Sequence, residues 1–521
     1  MLELAMLTRR QLLQTVGSVA LAQGSRPGGS RPGGSRPGGS QPPTNIVFLF
    51  TDDHAFQAIS AYKHPLKLNQ TPNIDRIARE GMIFHRCIVP NSICAPARAT
   101  ILTGLYSHKN GVPDNQSTFD GSQTTFPKLL RQAGYQTALF GKWHLQSNPT
   151  GFDAWEVLPG QGSYYNPDFI TEKGTIRKVG YATDLITDRG LEWIDTRDKS
   201  KPFCLMLQHK APHRNWMPAA RHFDLYEKTV FPEPETLFDD YKGRATPASK
   251  QEMEINRHMT LPSDLKVPEG DNWDYLPEYQ RMNTQQKEAW ARAYRGRLEE
   301  FRKLQPKGKD LVKWKYQQYM KDYLRCIAAV DENVGRVLEY LDKNGLTRNT
   351  LIVYASDQGF YLGEHGWFDK RWIYEESLRT PCVARWPGRI KPASSSDVMV
   401  SNLDFAQTFL DAAGVPAPST MQGRSLLPVF KNGKPSRWRQ SFYYRYTEPG
   451  VHEVAPHEGV VTQRYKLAHF WETREWEMYD RQRDPKEMQS VFNDPKYASI
   501  RKKLEAELKR LREETQAPVN A

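Results

Sequence analysis

Cysteine is scarce in this 521-residue chain: Cys87, Cys94, Cys204, Cys326 and Cys382 are all there is. Five scattered residues cannot build a disulfide scaffold, and no CxxC pair is present to hold zinc. Long apolar runs are missing too. No stretch reaches the ~18 residues of a spanning helix, which excludes an integral membrane segment. There is no acidic excess, since 72 Lys and Arg stand against 60 Asp and Glu, a net charge of +12. That balance excludes an acidic solvating chain and favours an anionic partner: nucleic acid, anionic lipid or an acidic substrate. Nor is the composition that of a disordered chain, because 38% of residues are hydrophobic and 11% aromatic. A substantial core is therefore available. At ~150 residues per domain, the length suggests a few units or one large enzyme domain with additions.

The N-terminus stands apart. Residues 7–22, LTRRQLLQTVGSVALA, place Arg9-Arg10 before a short, weakly apolar stretch that ends in Ala20-Leu21-Ala22. This is the layout of a secretory signal (1–22), similar to the twin-arginine export type. Residues 25–39 repeat SRPGG three times within a tether (23–43) that offers no core-forming side chain. Leader and tether carry five arginines and one glutamate, +4, which leaves +8 for the body. An exported protein, periplasmic or extracellular, is expected.

In the body, four apolar β-rich runs read as buried strands of a parallel sheet: 45–50, 137–140, 203–208 and 351–355. Helical patterns lie between them, over 73–79 and over 324–341, where Ile327, Val330, Val334, Val337 and Leu341 recur at three- and four-residue intervals. Alternating strands and helices imply an α/β domain with helices on both sheet faces. Each strand runs into a polar tail: TDDH (51–54), GKWH (141–144), HKAPH (209–213) and SDQG (356–359). Open α/β sheets bind ligands off the carboxyl ends of their strands, so four such tails point to one pocket. Residues 242–325 carry 18 basic and 12 acidic residues. They read as an insertion with one or two surface helices, bordering the pocket, in a catalytic domain spanning 44–435. Strand-like pieces at 441–446 and 459–467 and a charged helix at 497–514 suggest a smaller C-terminal α+β subdomain, 436–521.

Asp52-Asp53 and Asp357-Gln358 each follow a strand. An isolated Asp pair usually caps a helix, but three carboxylates and an amide oxygen together make a hard, all-oxygen site suited to Ca²⁺ or Mg²⁺. The stretch Ser92-Ile93-Cys94-Ala95-Pro96-Ala97-Arg98 sets a cysteine at the start of a helix. Pro96 suits the first turn, the helix dipole favours an anion there, and Arg98 lies one turn on. A buried structural cysteine and a thiolate nucleophile both fit these residues.

From Ser92 to Gly104 the chain resembles the sulfatase motif C-x-P-(S/A)-R-x-x-apolar-apolar-T-G at every defined position. Gly134–His144 resembles the second sulfatase motif, with Phe140 where a smaller residue is usual. The resemblance runs from about Asn45 into the YDRQRDPKEM stretch, 479–488. It implies an alkaline-phosphatase-like fold with a large, mostly parallel mixed sheet. Segment 357–380 looks most like bacterial N-acetylglucosamine-6-sulfatase-like enzymes acting on glycosaminoglycans or mucin glycans.

That resemblance implies a role for each matching residue. Cys94 would be oxidised to formylglycine by a formylglycine-generating enzyme, and its hydrated aldehyde would be the nucleophile. Asp52, Asp53, Asp357 and Gln358 would bind Ca²⁺ together with the residue-94 oxygen. Arg98 would hold the formylglycine, while Lys142 and Lys370 neutralise sulfate oxygens. His144 would assist sulfate release, and His213 would protonate the leaving sugar oxygen. Arg214, Trp216, His365, Trp367 and Arg371 flank these stations and are candidate sugar contacts by stacking and hydrogen bonding.

Three other readings compete with a glycan 6-O-sulfatase. One is an arylsulfatase or another glycan O-sulfatase, such as a uronate 2-O-sulfatase. Another is a phosphomonoester, phosphodiester or phosphonate hydrolase of the same superfamily. The third is an inactive polyanion-binding protein. Nucleic acid is the poorest option, since no nucleic-acid module is recognisable.

Overall fold

The computed structural model describes residues 43–519. The expected leader, and all of the tether but Pro43, lie outside the described residues.

A ten-stranded sheet organises the molecule. Its order is Ser394–Ser396, Met82–Phe84, Cys382–Arg385, Thr350–Ser356, Asn45–Thr51, Phe203–Gln208, Gln136–Lys142, Ala154–Leu158, Asp168–Thr171, Gly174–Arg177. The four strands read from apolar runs lie side by side at its centre, and all are parallel. Every residue of Asn45–Thr51, Phe203–Gln208 and Thr350–Ser356 is buried. That explains their continuous apolar character, since both faces are covered. Cys382–Arg385 and the outermost pieces beyond Ala154–Leu158 pair antiparallel, which makes the sheet mixed.

One sheet face packs against the helices Pro72–Arg79, Ala182–Thr196 and Gly308–Lys343, through Ile74, Ile77, Ile186, Ile194, Ile327 and Val334. The other packs against Cys94–Thr103, Phe126–Gln132 and Phe405–Ala412. Gly308–Lys343 corrects the expected boundary at 325. The helix starts at Gly308, and Val312, Tyr316, Tyr319 and Tyr323 continue its buried stripe. Tyrosines replaced aliphatics there, so the amphipathic pattern did not register.

The basic excess of 242–325 does not face a ligand either. Arg297, Lys266 and Arg325 converge on buried Asp322, at 2.7, 3.1 and 3.3 Å. Buried charges are retained where they are paired, and here a positive surplus serves one carboxylate.

The C-terminal residues form a four-stranded antiparallel sheet: Ser441–Tyr446, His457–Thr462, Tyr465–Phe470 and Glu475–Asp480. The single strand expected at 459–467 is a hairpin turning at Gln463-Arg464. Helix Ala498–Thr515 covers this sheet through Leu504, Leu508 and Leu511. An aromatic cluster joins the two sheets. Trp372 lies 5.3 Å from Trp367, 5.5 Å from Tyr374 and 5.5 Å from His457, in near-parallel stacks. Among the described residues no helix is long and apolar enough to cross a membrane, and all five cysteines are buried and unpaired.

Candidate functional site

Strand register brings the tails together. Thr51 pairs with Ser356, so Asp52 and Asp357 leave the sheet side by side. Gln208 pairs with both Phe50 and Gly141, which puts the third tail between the first and the second. Gly141 cannot be replaced: it holds φ +114°, and a Cβ there would lie 2.0 Å from the Gln208 carbonyl oxygen. This close approach delivers Lys142 to the sheet end. Asp53, His144, Asp369 and Arg371 adopt positive φ of 64°, 55°, 78° and 88°. Such backbone costs about 1–3 kcal/mol per residue and collects at sites where geometry matters more than stability.

Cys94 opens helix Cys94–Thr103, fully buried, with its Sγ 3.4 Å from Asp52 Oδ1. Lys142 donates to Asp52 and, at 2.5 Å, to Gln161 Oε1. Lys370 Nζ is 2.7 Å from the Asp53 carboxylate. Arg98 donates to Asp357 at 3.1 Å and to Gln208 Oε1 at 2.9 Å, with Asp52 3.5 Å away. His213 Nε2 stands 3.7 Å from Asp53 Oδ2, while its Nδ1 meets the Arg214 carbonyl at 2.5 Å. A carbonyl only accepts, so Nδ1 carries a proton and Nε2 is the atom left for chemistry. His144 borders a smaller neighbouring cavity of about 250 Å³ rather than the main cleft. Its Nδ1 is buried without a partner.

The charges conflict as they stand. Burial raises Asp357 to about 8, with Asp52 adding to the shift. Burial likewise raises Asp53 to about 6, against the pull of Lys370. Asp52, although burial opposes it, is held well below the usual carboxylate range by Lys142. Three buried carboxylates so close cannot all ionise freely without another cation. One oxygen from each of Asp52, Asp53 and Asp357 lies within 4.8 Å of the others. Gln358 Oε1 is buried beside them with no hydrogen-bond partner, its Nε2 donating to Asp53 at 2.5 Å. Oxygen donors only, mostly anionic, one unclaimed: this set fits a hard divalent cation.

Three protein carboxylates face three cations, Arg98, Lys142 and Lys370. A divalent metal added to that balance leaves the site net positive, which suits an anionic ligand. Burial and then Asp52 push the Cys94 thiol well up, so an unmodified Cys94 is a poor nucleophile at neutral pH. Burial, with Lys142 next, lowers His213 well below the usual imidazole range. The same two causes take His144 down to about 2, which leaves it uncharged at neutral pH.

The site opens into a cleft of about 680 Å³ lined by Cys94, His213, Arg214, Lys370 and Arg371. Three of the five candidate sugar contacts are corrected. Trp216 is 0% exposed, with its ring 4.4 Å from Tyr319 under the sheet. Trp367 and His365 belong to the buried aromatic cluster, where Tyr241 accepts from the Trp367 indole at 2.9 Å. Arg214 and Arg371 do reach the cleft. Arg214 is held by Asp264 at 2.7 and 2.8 Å, and Arg371 by Asp369 at 2.5 Å.

The cleft also contains residues not singled out from sequence: Asn115, Gln161, Lys210, Glu278, Asp369 and His452. Lys210 and Asp369 sit inside stretches already noticed, HKAPH and the segment before Lys370. His452 comes from a loop of the C-terminal layer and pairs with Asp369 at 3.1 Å. Nothing in its local sequence marks it. From the 242–325 segment only Thr260, Ser263, Leu276, Pro277 and Glu278 line the cleft, and none is basic.

Comparison with known proteins agrees with this geometry. The family profile described as "Sulfatase" matches residues 44–415, and "N-sulphoglucosamine sulphohydrolase, C-terminal" matches 363–514. The chain is 52% identical over 485 residues to an N-acetylglucosamine-6-O-sulfatase of Bacteroides thetaiotaomicron, covering 91% of this chain and 86% of that one. It is 28% identical to the N-acetylglucosamine-6-sulfatase of Homo sapiens, over 79% of this chain and 69% of the human one. A solved structure of a protein in complex with its substrate, D-glucosamine-2-N,6-O-disulfate, superposes with a TM-score of 0.88 at 50% identity. That match covers 91% of this chain and 98% of the other. A phosphonate monoester hydrolase from Silicibacter pomeroyi, at 20% identity and a TM-score of 0.69 over 91% of this chain and 96% of its own, shares the alkaline-phosphatase-like fold.

Proposed function

The chain belongs to the sulfatase family and hydrolyses sulfate esters on glycans, and from that premise we propose that its substrate ester is the 6-O-sulfate of a glucosamine residue. One observation carries the reading: Cys94, two lysines and an acidic cluster with an unclaimed amide oxygen meet at the base of a cleft wide enough for a sugar. The 52% identity to an N-acetylglucosamine-6-O-sulfatase supports the choice of ester. Asp369, Arg371 and His452 at the cleft wall offer acceptors and donors suited to sugar hydroxyls.

Asp52, Asp53, Asp357 and Gln358 would hold Ca²⁺, whose charge would polarise a sulfate oxygen. Cys94 as formylglycine would present a hydroxyl nucleophile from its hydrated aldehyde, at the start of the helix. Lys142 and Lys370 reach the position in front of Cys94 and oppose the charge that builds on sulfate oxygens. His213 Nε2 delivers a proton to the departing sugar oxygen, and a sulfate arriving beside it raises its affinity for that proton. His144, lacking a partner at Nδ1, would take the proton of the second hydroxyl of the hydrated aldehyde as the carbon–oxygen bond to sulfate breaks and the aldehyde re-forms. Sulfated glycans lie outside the cytoplasm, and the Arg9-Arg10 leader supports export to periplasm or medium.

Turnover of 6-sulfated N-acetylglucosamine tests the reading. We expect sulfate release at least about 100-fold faster in kcat/KM than phosphate release from the 6-phosphate, as befits a member of the sulfatase family. Dominant phosphatase activity, or no release from the 6-sulfate while another sulfated sugar is cleaved, would overturn it. Chelation provides a separate check. Removing calcium is expected to abolish turnover and lower Tm, because a ligand at 100 times its Kd stabilises the fold by about 2.7 kcal/mol. Unchanged Tm and activity in excess chelator would rule the metal out.

A further inference from the structure

Among the described lysines and arginines that line the cleft, Lys210 differs in having no carboxylate within ion-pair distance. Lys370 has Asp53, Arg371 has Asp369 and Arg214 has Asp264. Yet Lys210 is only 3% exposed, with its ammonium 4.8 Å from the centre of the Tyr164 ring. Glu278 lines the same cleft, but that carboxylate is already engaged. Its two oxygens accept from the Tyr164 and Tyr165 amides at 2.9, 3.0 and 3.1 Å. Burial, then Lys142, brings Lys210 down to about 8, so it remains largely charged at neutral pH. A buried cation without a partner anion is costly, and it is retained where something else supplies the anion.

The ester being cleaved is a poor candidate for that anion. It already has Lys142 and Lys370, which sit on Asp52 and Asp53 beside Cys94. Lys210 instead stands on the His213 side of the cleft, from which the sugar oxygen would depart: its carbonyl accepts from the His213 amide at 3.0 Å, and Tyr164, on whose ring its ammonium lies, donates to the His213 carbonyl at 2.6 Å. We infer that Lys210 receives a second sulfate carried by the same sugar, and so sets a preference for doubly sulfated over singly sulfated glucosamine. The Tyr164 ring holds the ammonium in place on its other side, as a cation–π contact that needs no counter-charge of its own. This assignment rests on the 6-O-sulfatase reading above.

The test compares kcat/KM on 6-sulfated N-acetylglucosamine and on glucosamine 2-N,6-O-disulfate, for the wild type, Lys210→Met and Lys210→Arg. Lys210→Met is expected to lose about 10- to 100-fold on the disulfate, chiefly in KM, with less than about threefold change on the singly sulfated sugar. Lys210→Arg is expected to keep most of the preference. Turnover of the singly sulfated sugar also reports that each variant is folded. Equal losses on both substrates would assign Lys210 to the cleaved ester or to His213 and overturn the inference. So would an unchanged ratio in Lys210→Met. Wild-type turnover of the singly sulfated sugar judges the 6-O-sulfate reading, whereas the variant ratio judges Lys210, so the two failures are distinguishable.

Discussion

Replacing Cys94 by alanine is expected to lower kcat for 6-O-sulfate release by at least about four orders of magnitude, with little change in Tm. The effect is large because no other side chain can substitute. Asp52 and Asp357 are already committed to Arg98 and Lys142. Cys94 opens its helix with no side-chain cap, so the substitution removes one sulfur from a position alanine fills with good helix propensity. Sulfate release and thermal melting of the same preparations measure both halves of the expectation. Residual activity within about tenfold of wild type would transfer the nucleophile's role elsewhere. Peptide mass spectrometry across Cys94, on protein from the native host, completes the test. We expect the sulfur replaced by an aldehyde oxygen; an intact thiol would refute formylglycine, since burial beside Asp52 leaves that thiol protonated.

Central features were the most legible in the sequence. The four parallel strands are buried on both faces, and burial writes continuous apolar runs with polar tails at one end. Register then does the rest, because adjacent parallel strands must present their tails together. What failed has a common physical cause. Trp216 follows His213 by three positions and Trp367 precedes Lys370 by three, yet both side chains turn into packed cores. Nearness along the chain to a site residue does not fix the direction of a side chain where turns separate the two. Charge counting failed similarly at 242–325, where none of the 18 basic residues lines the cleft and three of them, Arg297, Lys266 and Arg325, converge on one buried carboxylate. Pairing is a three-dimensional fact that a net charge cannot express. His452 shows the opposite case, a loop residue whose place in the cleft is created only when the C-terminal sheet docks through the Trp372 cluster.

His213→Ala is expected to cost about 10²- to 10⁴-fold in kcat/KM on a 6-sulfated sugar, and about tenfold or less on an aryl sulfate with an acidic phenol. The difference follows from the leaving group. A sugar alkoxide is strongly basic and departs only as a proton reaches it, whereas a nitrophenolate departs without help. On the reading proposed, His213 serves the first case. Its Nδ1 is tied to the Arg214 carbonyl, and its backbone is steadied by Tyr164, whose hydroxyl donates to the His213 carbonyl at 2.6 Å. Nε2 therefore points toward the cleft, 3.7 Å from the Asp53 carboxylate. Lys142→Ala supplies the contrast. That lysine bonds Asp52 and on the reading proposed opposes charge on the sulfate, so its loss should depress sugar and aryl sulfates alike. If His213→Ala also lost equally on both substrates, the histidine would be acting on the sulfate rather than on the sugar oxygen, and the general-acid role would pass to another group.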